Sequence, residues 1–269
     1  TVRMILAFSA WFGFATAVGA ALLYAVLALL SQRLSTPAAR TWLLAAWLFH
    51  AMALAAGLFG QPARFGFAPA LSTTVWLAVT VYAIERGLIP QLKARWALAA
   101  VGAAAVLLAL AFPGTSYHRI TSPWLPLHWA LGMASYGLFA SALVHGWLMG
   151  RSERSMRSAH PNDSGLPLLT LERLTFRFVE AGFILLTASL LAGWFFAEAL
   201  YGPHLGPIWN HKTIFSALAW LTFAGLLVGR ARLGWRGRKA RNVLYLGSGL
   251  LLLGYAGSRF VLEVVLHRP

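Results

Sequence analysis

The chain contains no cysteine, so disulfides, iron–sulfur clusters, thiolate ligation of haem and cysteine-based zinc sites are all excluded. Acidic residues are also scarce, since seven Asp and Glu accompany 22 Lys and Arg, for a formal net charge of +15. Only 11% of the residues are charged and 59% are hydrophobic, whereas a soluble protein averages about 25% charged residues. So few polar side chains cannot cover so much apolar surface. The sequence therefore predicts a protein that is solvated by lipid.

The excess of basic residues does not indicate a nucleic-acid partner. Most Lys and Arg residues lie between apolar segments, as membrane-flanking anchors do, and are not gathered on one soluble face. The chain also lacks a phosphate-binding or dinucleotide-binding glycine motif, which argues against nucleotide-driven chemistry. The expected partner is the lipid bilayer.

Eight apolar segments approach the length of about 20 residues that a helix needs to cross roughly 30 Å of hydrocarbon. They cover residues 5–30, 41–59, 67–84, 96–112, 125–149, 178–200, 213–228 and 242–265. The first segment is too long for the apolar core of a signal peptide, which is about 7–15 residues, and is expected to be retained. The predicted fold class is all-α, a polytopic bundle forming a single transmembrane domain over residues 1–269.

The distribution of basic residues predicts the orientation of this bundle. The loops after the first, third, fifth and seventh segments hold 16 Lys and Arg residues, whereas the alternate loops hold three. Because basic loops stay on the cytoplasmic side, both termini are predicted to be external. Residues 150–177 become a cytoplasmic basic linker, mobile to about residue 163, followed by an interfacial helix with Thr170 as its N-cap. Residues 201–212 become an external loop rich in Trp and His.

The stretch from residue 193 to 220 is the centre of the functional interpretation, because its loop combines imidazoles, a cation and aromatic surface. It holds His204, His211, Lys212 and Trp209. Neutral imidazole is a natural axial ligand for haem iron, and tryptophan offers a flat apolar face. Lys212 would lie near haem propionates at a helix N-terminus. A zinc site made of the same histidines stays an open alternative, although no HExxH or comparable ligand spacing supports it.

Polar side chains within the apolar segments are costly and are therefore functional candidates. His50 lies in the middle of the second segment, and its role as a ligand or as a hydrogen-bonded structural imidazole stays open. His128 lies at the outer end of the fifth segment, whereas His145 lies at its inner end, where a solvated interfacial position is expected. Arg259 forms an i, i+4 pair with Glu263 in the eighth segment, either as a structural pair or near a propionate.

Five stretches of the second half resemble a known family. They are LHWALGMASYGLFASALVHG, ERLTFRFVEAGFILLTASLLAGWFF, WNHKTIFSALAWLTFAGLLVGR, GWRGRKA and GYAGSRFVLEVVL, within about residues 127–266. They resemble the cytochrome c assembly family of CcsA/CcmC-type haem-handling membrane proteins, particularly its short YpjD-like inner-membrane branch. The family's external loop ends in a Trp-Asp-Pro-Lys-Glu-like run. Here Trp209-Asn210-His211-Lys212-Thr213 keeps the Trp and the Lys and lacks the acidic residues.

The resemblance implies a multi-pass protein of the bacterial inner membrane that binds haem at its external face and assists cytochrome c assembly. It would be an accessory factor and not a complete enzyme, with haem and other cytochrome c assembly proteins as its partners. His128 would be the leading axial ligand and His211 or His204 the second. His50 would be an intramembrane histidine of the cofactor-binding set, which also includes Trp209, Lys212 and Arg259.

Two alternatives remain beside the haem hypothesis. The chain could be a membrane transport or metal-resistance component for a divalent cation or a small solute, with the external loop as a gate and a path lined by His50, Glu198, Arg259 and Glu263. It could also be a structural partner within a larger assembly complex.

Overall fold

The computed structural model describes residues 2–30, 33–60, 63–88, 95–117, 124–157, 167–196 and 211–257, together with residues 260, 261 and 264. Within these residues the chain forms eight α-helices. They are α1 (Val2–Leu30), α2 (Thr36–Phe59), α3 (Phe67–Leu88), α4 (Arg95–Ala111), α5 (Trp124–Arg157), α6 (Leu168–Phe195), α7 (His211–Leu233) and α8 (Gly237–Leu252). A π-helical segment, Leu253–Gly257, continues α8.

The predicted all-α membrane bundle is confirmed. Six of the described helices are long and apolar enough to cross a membrane, α4 is a shorter apolar helix, and α8 has 16 residues before its π-helical continuation. Large apolar side chains point outward along the helices: Leu29, Phe59 and Phe195 are 83%, 85% and 73% exposed. Water would make such exposure costly, whereas lipid covers it without penalty.

The predicted linker 150–177 is helical at both of its ends, as expected for its second half but not for its first half, which was predicted to be mobile. Helix α5 continues to Arg157, and α6 begins at Leu168, so that the basic residues there lie on helices. The proposed N-cap Thr170 is also incorrect, because Pro167 is the N-cap and Thr170 donates its backbone N–H to the Pro167 carbonyl at 3.0 Å. Residues 158–166 lie outside the described residues. Helix α8 likewise begins at Gly237, five residues before the predicted start at 242.

The first of two compact units comprises residues 1–83, 94–119 and 262–269. Helix α1 packs against α2 and α4. Two short strands, β1 (Ala63–Phe65) and β2 (Thr115–Tyr117), pair antiparallel with Phe65 opposite Thr115. The sequence did not predict these strands. Their pairing brings the α2–α3 and α4–α5 connections together. Two connections separated by two membrane-crossing helices lie on the same side of the membrane, so this pairing agrees with the predicted bundle.

The second unit comprises residues 84–93 and 120–261, and its centre is the packing of α5 against α6. Helices α7 and α8 complete it, and the Phe139 and Phe223 rings stack at its core with centroids 3.9 Å apart. Gly247 on α8 permits the approach of Phe223, because a Cβ at this position would lie 2.8 Å from the Phe223 ring. The interior is therefore close-packed aromatic and aliphatic surface.

Candidate functional site

His128, near the start of α5, is held against α6 by a hydrogen bond to the backbone. Its Nδ1 lies 3.0 Å from the Ser189 carbonyl oxygen and 3.4 Å from the Ser189 hydroxyl. Because a carbonyl oxygen only accepts, Nδ1 carries the hydrogen, and the neutral ring keeps its lone pair on Nε2. Histidine ligands to metals are oriented in this way by the bond that their other nitrogen makes.

The surroundings of His128 combine a close backbone approach with exposed aromatic surface. Gly193 lies one turn beyond Ser189 on α6, and a Cβ there would be 3.3 Å from His128 Cε1. The next residues, Trp194 and Phe195, end α6 and are 69% and 73% exposed. The His128 ring is half-buried. The end of α6 thus contacts the imidazole closely at Gly193. It also carries exposed aromatic side chains directly after Gly193 in the sequence.

His211 and Lys212 form the first turn of α7, two residues earlier than the predicted start at residue 213. His211 is exposed and Lys212 is half-buried. The backbone N–H groups of a helix N-terminus favour anionic groups, to which a lysine adds its charge. His211 and His128 belong to the same unit, but no hydrogen bond or ring contact joins these two described residues.

Three of the predicted site residues, His204, Trp209 and Arg259, lie outside the described residues. Their assignment to a cofactor site stays a prediction.

His50 belongs to the first unit, where it is 1% exposed on α2. Its Nε2 lies 2.8 Å from the Ser72 hydroxyl and its Nδ1 lies 3.4 Å from the Tyr24 hydroxyl, with the two rings edge to face. Both ring nitrogens are therefore engaged by hydroxyl groups. The sequence left open whether His50 is a ligand or a hydrogen-bonded structural imidazole, and this geometry fits the structural imidazole. A metal ion bound at Nε2 would have to displace the Ser72 hydroxyl.

The expected solvated position of His145 is wrong. The ring is 2% exposed, with Nδ1 2.8 Å from the Ser141 carbonyl oxygen and Nε2 3.2 Å from Glu85 Oε2. The residue is buried because α5 continues three turns beyond it, to Arg157. Sequence reasoning missed Glu85, which is 7% exposed, because it falls just beyond the predicted segment 67–84 and beside Arg86 resembles a solvated flanking charge.

Glu172 on α6 is a second buried acidic residue among the described residues of this unit. Its Oε1 lies 3.2 Å from Arg230 Nη1, and the Arg230 guanidinium lies 3.5 Å from the centre of the Phe176 ring. This pair ties α6 to α7. Over the described ranges, no three His, Asp or Glu side chains gather into a metal-binding group.

Comparison with known proteins places this geometry in context. A family model described as "Cytochrome C assembly protein" matches residues 35–266. "Inner membrane protein YpjD" of Escherichia coli strain K12 is 28% identical over 150 residues, which are 55% of this chain and 56% of that protein. "Cytochrome c biogenesis protein CcsA" of Synechococcus sp. strain JA-3-3Ab is 30% identical over 118 residues, 40% of this chain and 34% of that protein. The chain thus spans about half the length of the first relative and a third of the second. No solved structure matches it.

Proposed function

The chain belongs to the cytochrome c assembly protein family, and we propose that it binds haem at its external face through His128 and assists cytochrome c assembly. The observation that carries this proposal is the hydrogen bond from His128 Nδ1 to the Ser189 carbonyl oxygen. It leaves Nε2 as an unprotonated nitrogen in a half-buried position, which is the donor that haem iron requires. The imidazole and the adjacent exposed aromatics therefore fit a porphyrin.

His211 or His204 would supply the second ligand to the iron. His211 is exposed in the first turn of α7, where an imidazole can reach a bound group. Lys212 and the α7 N-terminus would neutralise the haem propionates, with Arg259 as a further cation. Trp209 would cover the porphyrin face. His50 is the weakest member of this set, because Ser72 and Tyr24 already engage its ring.

Haem bound in this way is cargo that a c-type cytochrome receives, and the chain's own residues hold it, orient it and shield it. We propose that the protein is a multi-pass component of a bacterial inner membrane that works with other assembly proteins, as an accessory factor and not as an enzyme. The family membership and the helical membrane fold support this role. The match to an inner-membrane protein of Escherichia coli supports the location.

The proposal is tested by purifying the protein from cells supplied with excess haem and recording its absorption spectrum. The wild-type protein should show a Soret band, and His128→Ala should remove most of it. His145→Gln is the matched control, because it alters a buried histidine at the far end of the same helix and should retain the band. A Soret band of wild-type intensity in His128→Ala would show that His128 does not ligate haem.

The second ligand can be identified in the same preparation. Loss of one of two histidine ligands would change the absorption spectrum of the bound haem. His211→Ala and His204→Ala, made separately, should therefore differ, and only the variant that lacks the true ligand should show the change. An unchanged spectrum in both variants would exclude this pair of histidines as the source of the second ligand.

A further inference from the structure

A buried acid–imidazole pair lies far from His128 in the same unit. Glu85, in the last part of α3, and His145, on α5, are 7% and 2% exposed, and Nε2 of His145 lies 3.2 Å from Oε2 of Glu85. His145 follows His128 on one continuous helix, and their separation of 17 positions in the chain corresponds to about 26 Å along the axis. The pair is therefore a polar site separate from the candidate haem ligand.

The hydrogen bonds around the His145 ring determine where its protons lie. Nδ1 is 2.8 Å from the Ser141 carbonyl oxygen, and because a carbonyl only accepts, Nδ1 carries a hydrogen. The Phe178 ring lies 5.3 Å away, centroid to centroid, and adds no polar partner. If Nε2 and Glu85 were both deprotonated, two electron-rich atoms would lie 3.2 Å apart. One proton between them, on either atom, removes this repulsion.

Within the described part of the chain, the Glu85 carboxylate oxygens and Nε2 of His145 have no other hydrogen-bond partner. Both carboxylate oxygens of Glu85 and Nε2 of His145 are buried without an aligned hydrogen bond, since the approach of Nε2 to Oε2 is close but poorly directed. Arg241, whose Cγ would lie 3.7 Å from a Cβ added at Gly146, the residue after His145, is bound by Glu153 at 3.0 Å. Its charge is thus already compensated. Among the described residues, the Glu85 carboxyl group and Nε2 of His145 therefore have each other as their polar contact.

We propose that Glu85 and His145 form a proton-binding site inside the membrane bundle that holds one proton between them. With one proton the pair is net neutral, whichever atom carries it. Loss of this proton leaves a buried carboxylate, and gain of a second leaves a buried imidazolium, and either uncompensated charge is costly in hydrocarbon. When the proton moves, the Nε2–H bond breaks as the Oε2–H bond forms, so that no net charge is gained or lost.

This site offers a chemistry that haem binding does not use. Ionisable side chains within membrane helices commonly serve as proton donors and acceptors, and a carboxyl paired with an imidazole can both accept and release a proton. The ligand of the site is therefore a proton. The proposal does not depend on the function proposed above, because neither side chain contacts His128 or its partners on α6.

The experiment combines infrared and ¹⁵N NMR spectra of the full chain in lipid nanodiscs at neutral pH, with ¹⁵N-labelled histidine. Glu85→Gln and His145→Gln identify the bands of the pair. Wild-type protein should show one of two signatures, a carboxylic acid at Glu85 with a neutral His145 or a carboxylate at Glu85 with an imidazolium at His145. Each single variant should then leave its partner neutral. Glu153→Gln is the control, because it removes a carboxylate that pairs with Arg241 and should change only the carboxylate region.

Two results would overturn the proposal. A carboxylate at Glu85 with a neutral His145 would mean that no proton is held, which is also the state that a bound metal cation would produce. A carboxylic acid together with an imidazolium would mean that two protons are held. If a single variant does not fold, the double variant Glu85→Gln/His145→Gln, which leaves no charge behind, assigns the same bands. The Soret band should survive in all of these variants, so failure here is distinguishable from failure of haem ligation.

Discussion

Gly193→Ala should weaken haem binding without destabilising the fold. The added Cβ would lie 3.3 Å from His128 Cε1 and 3.7 Å from Nδ1, so the ring has to move by a few tenths of an ångström. That movement lengthens the bond from Nδ1 to the Ser189 carbonyl oxygen, now 3.0 Å. A hydrogen bond of this kind contributes about 1 kcal/mol, and its loss would raise the Kd for haem roughly fivefold. Gly193→Val, with two further methyl groups, should approach the 10- to 100-fold loss expected when an orienting contact is broken.

The assay is a haem titration of protein in nanodiscs, followed by the Soret band, with thermal unfolding of the same samples. Because alanine favours a helix over glycine by about 1 kcal/mol, the melting temperature of Gly193→Ala should not fall. Gly225→Ala on α7 is the matched control, since nothing lies within 4 Å of its added Cβ. It should leave haem affinity unchanged. Wild-type affinity for haem in both Gly193 variants would refute the assignment of His128 as a haem ligand. A loss of affinity accompanied by an equal loss of stability would also refute it, because the variant would then act through the fold.

Two further predictions concern the stability of each unit. Gly247→Ala places a Cβ 2.8 Å from the Phe223 ring and should cost about 1–3 kcal/mol through overpacking, measured by chemical or thermal unfolding. Gly249→Ala, where nothing lies within 4 Å, should cost nothing, and equal effects of the two would contradict the packing argument. Ser72→Ala leaves Nε2 of His50 without its 2.8 Å partner and should destabilise the protein by about 1–3 kcal/mol, whereas an unchanged melting temperature would argue that His50 is free to serve another group.

The helices were predictable because their signal is local. A helix in lipid needs a long apolar run, and such a run is visible without knowledge of any neighbour. Helix α4, predicted at 96–112 and observed at Arg95–Ala111, shows how closely hydropathy locates a segment. The ends were less predictable where charged residues continue a helix beyond the apolar run. Helix α5 extends to Arg157, and Glu153 in that extension is held by Arg241 of α8, a tertiary contact that no local pattern reveals.

The candidate site was predictable in part. His128 could be selected from its position at a segment end and from the family resemblance, but its orientation depends on a carbonyl of α6 that is distant in sequence. His145 was misassigned for the same reason, since its partner Glu85 is on another helix. The three-residue strands β1 and β2 are too short to give a periodic pattern, and they exist because two connections meet.

The central claim is that His128 ligates haem iron through Nε2, and imidazole rescue tests it most directly. His128→Gly removes the ring and leaves a cavity that a free imidazole molecule can enter beside the Ser189 carbonyl oxygen. We expect this variant to be purified without a Soret band and to regain the band when haem and imidazole are added together, but not with haem alone. A variant that binds haem equally well without imidazole would contradict the claim.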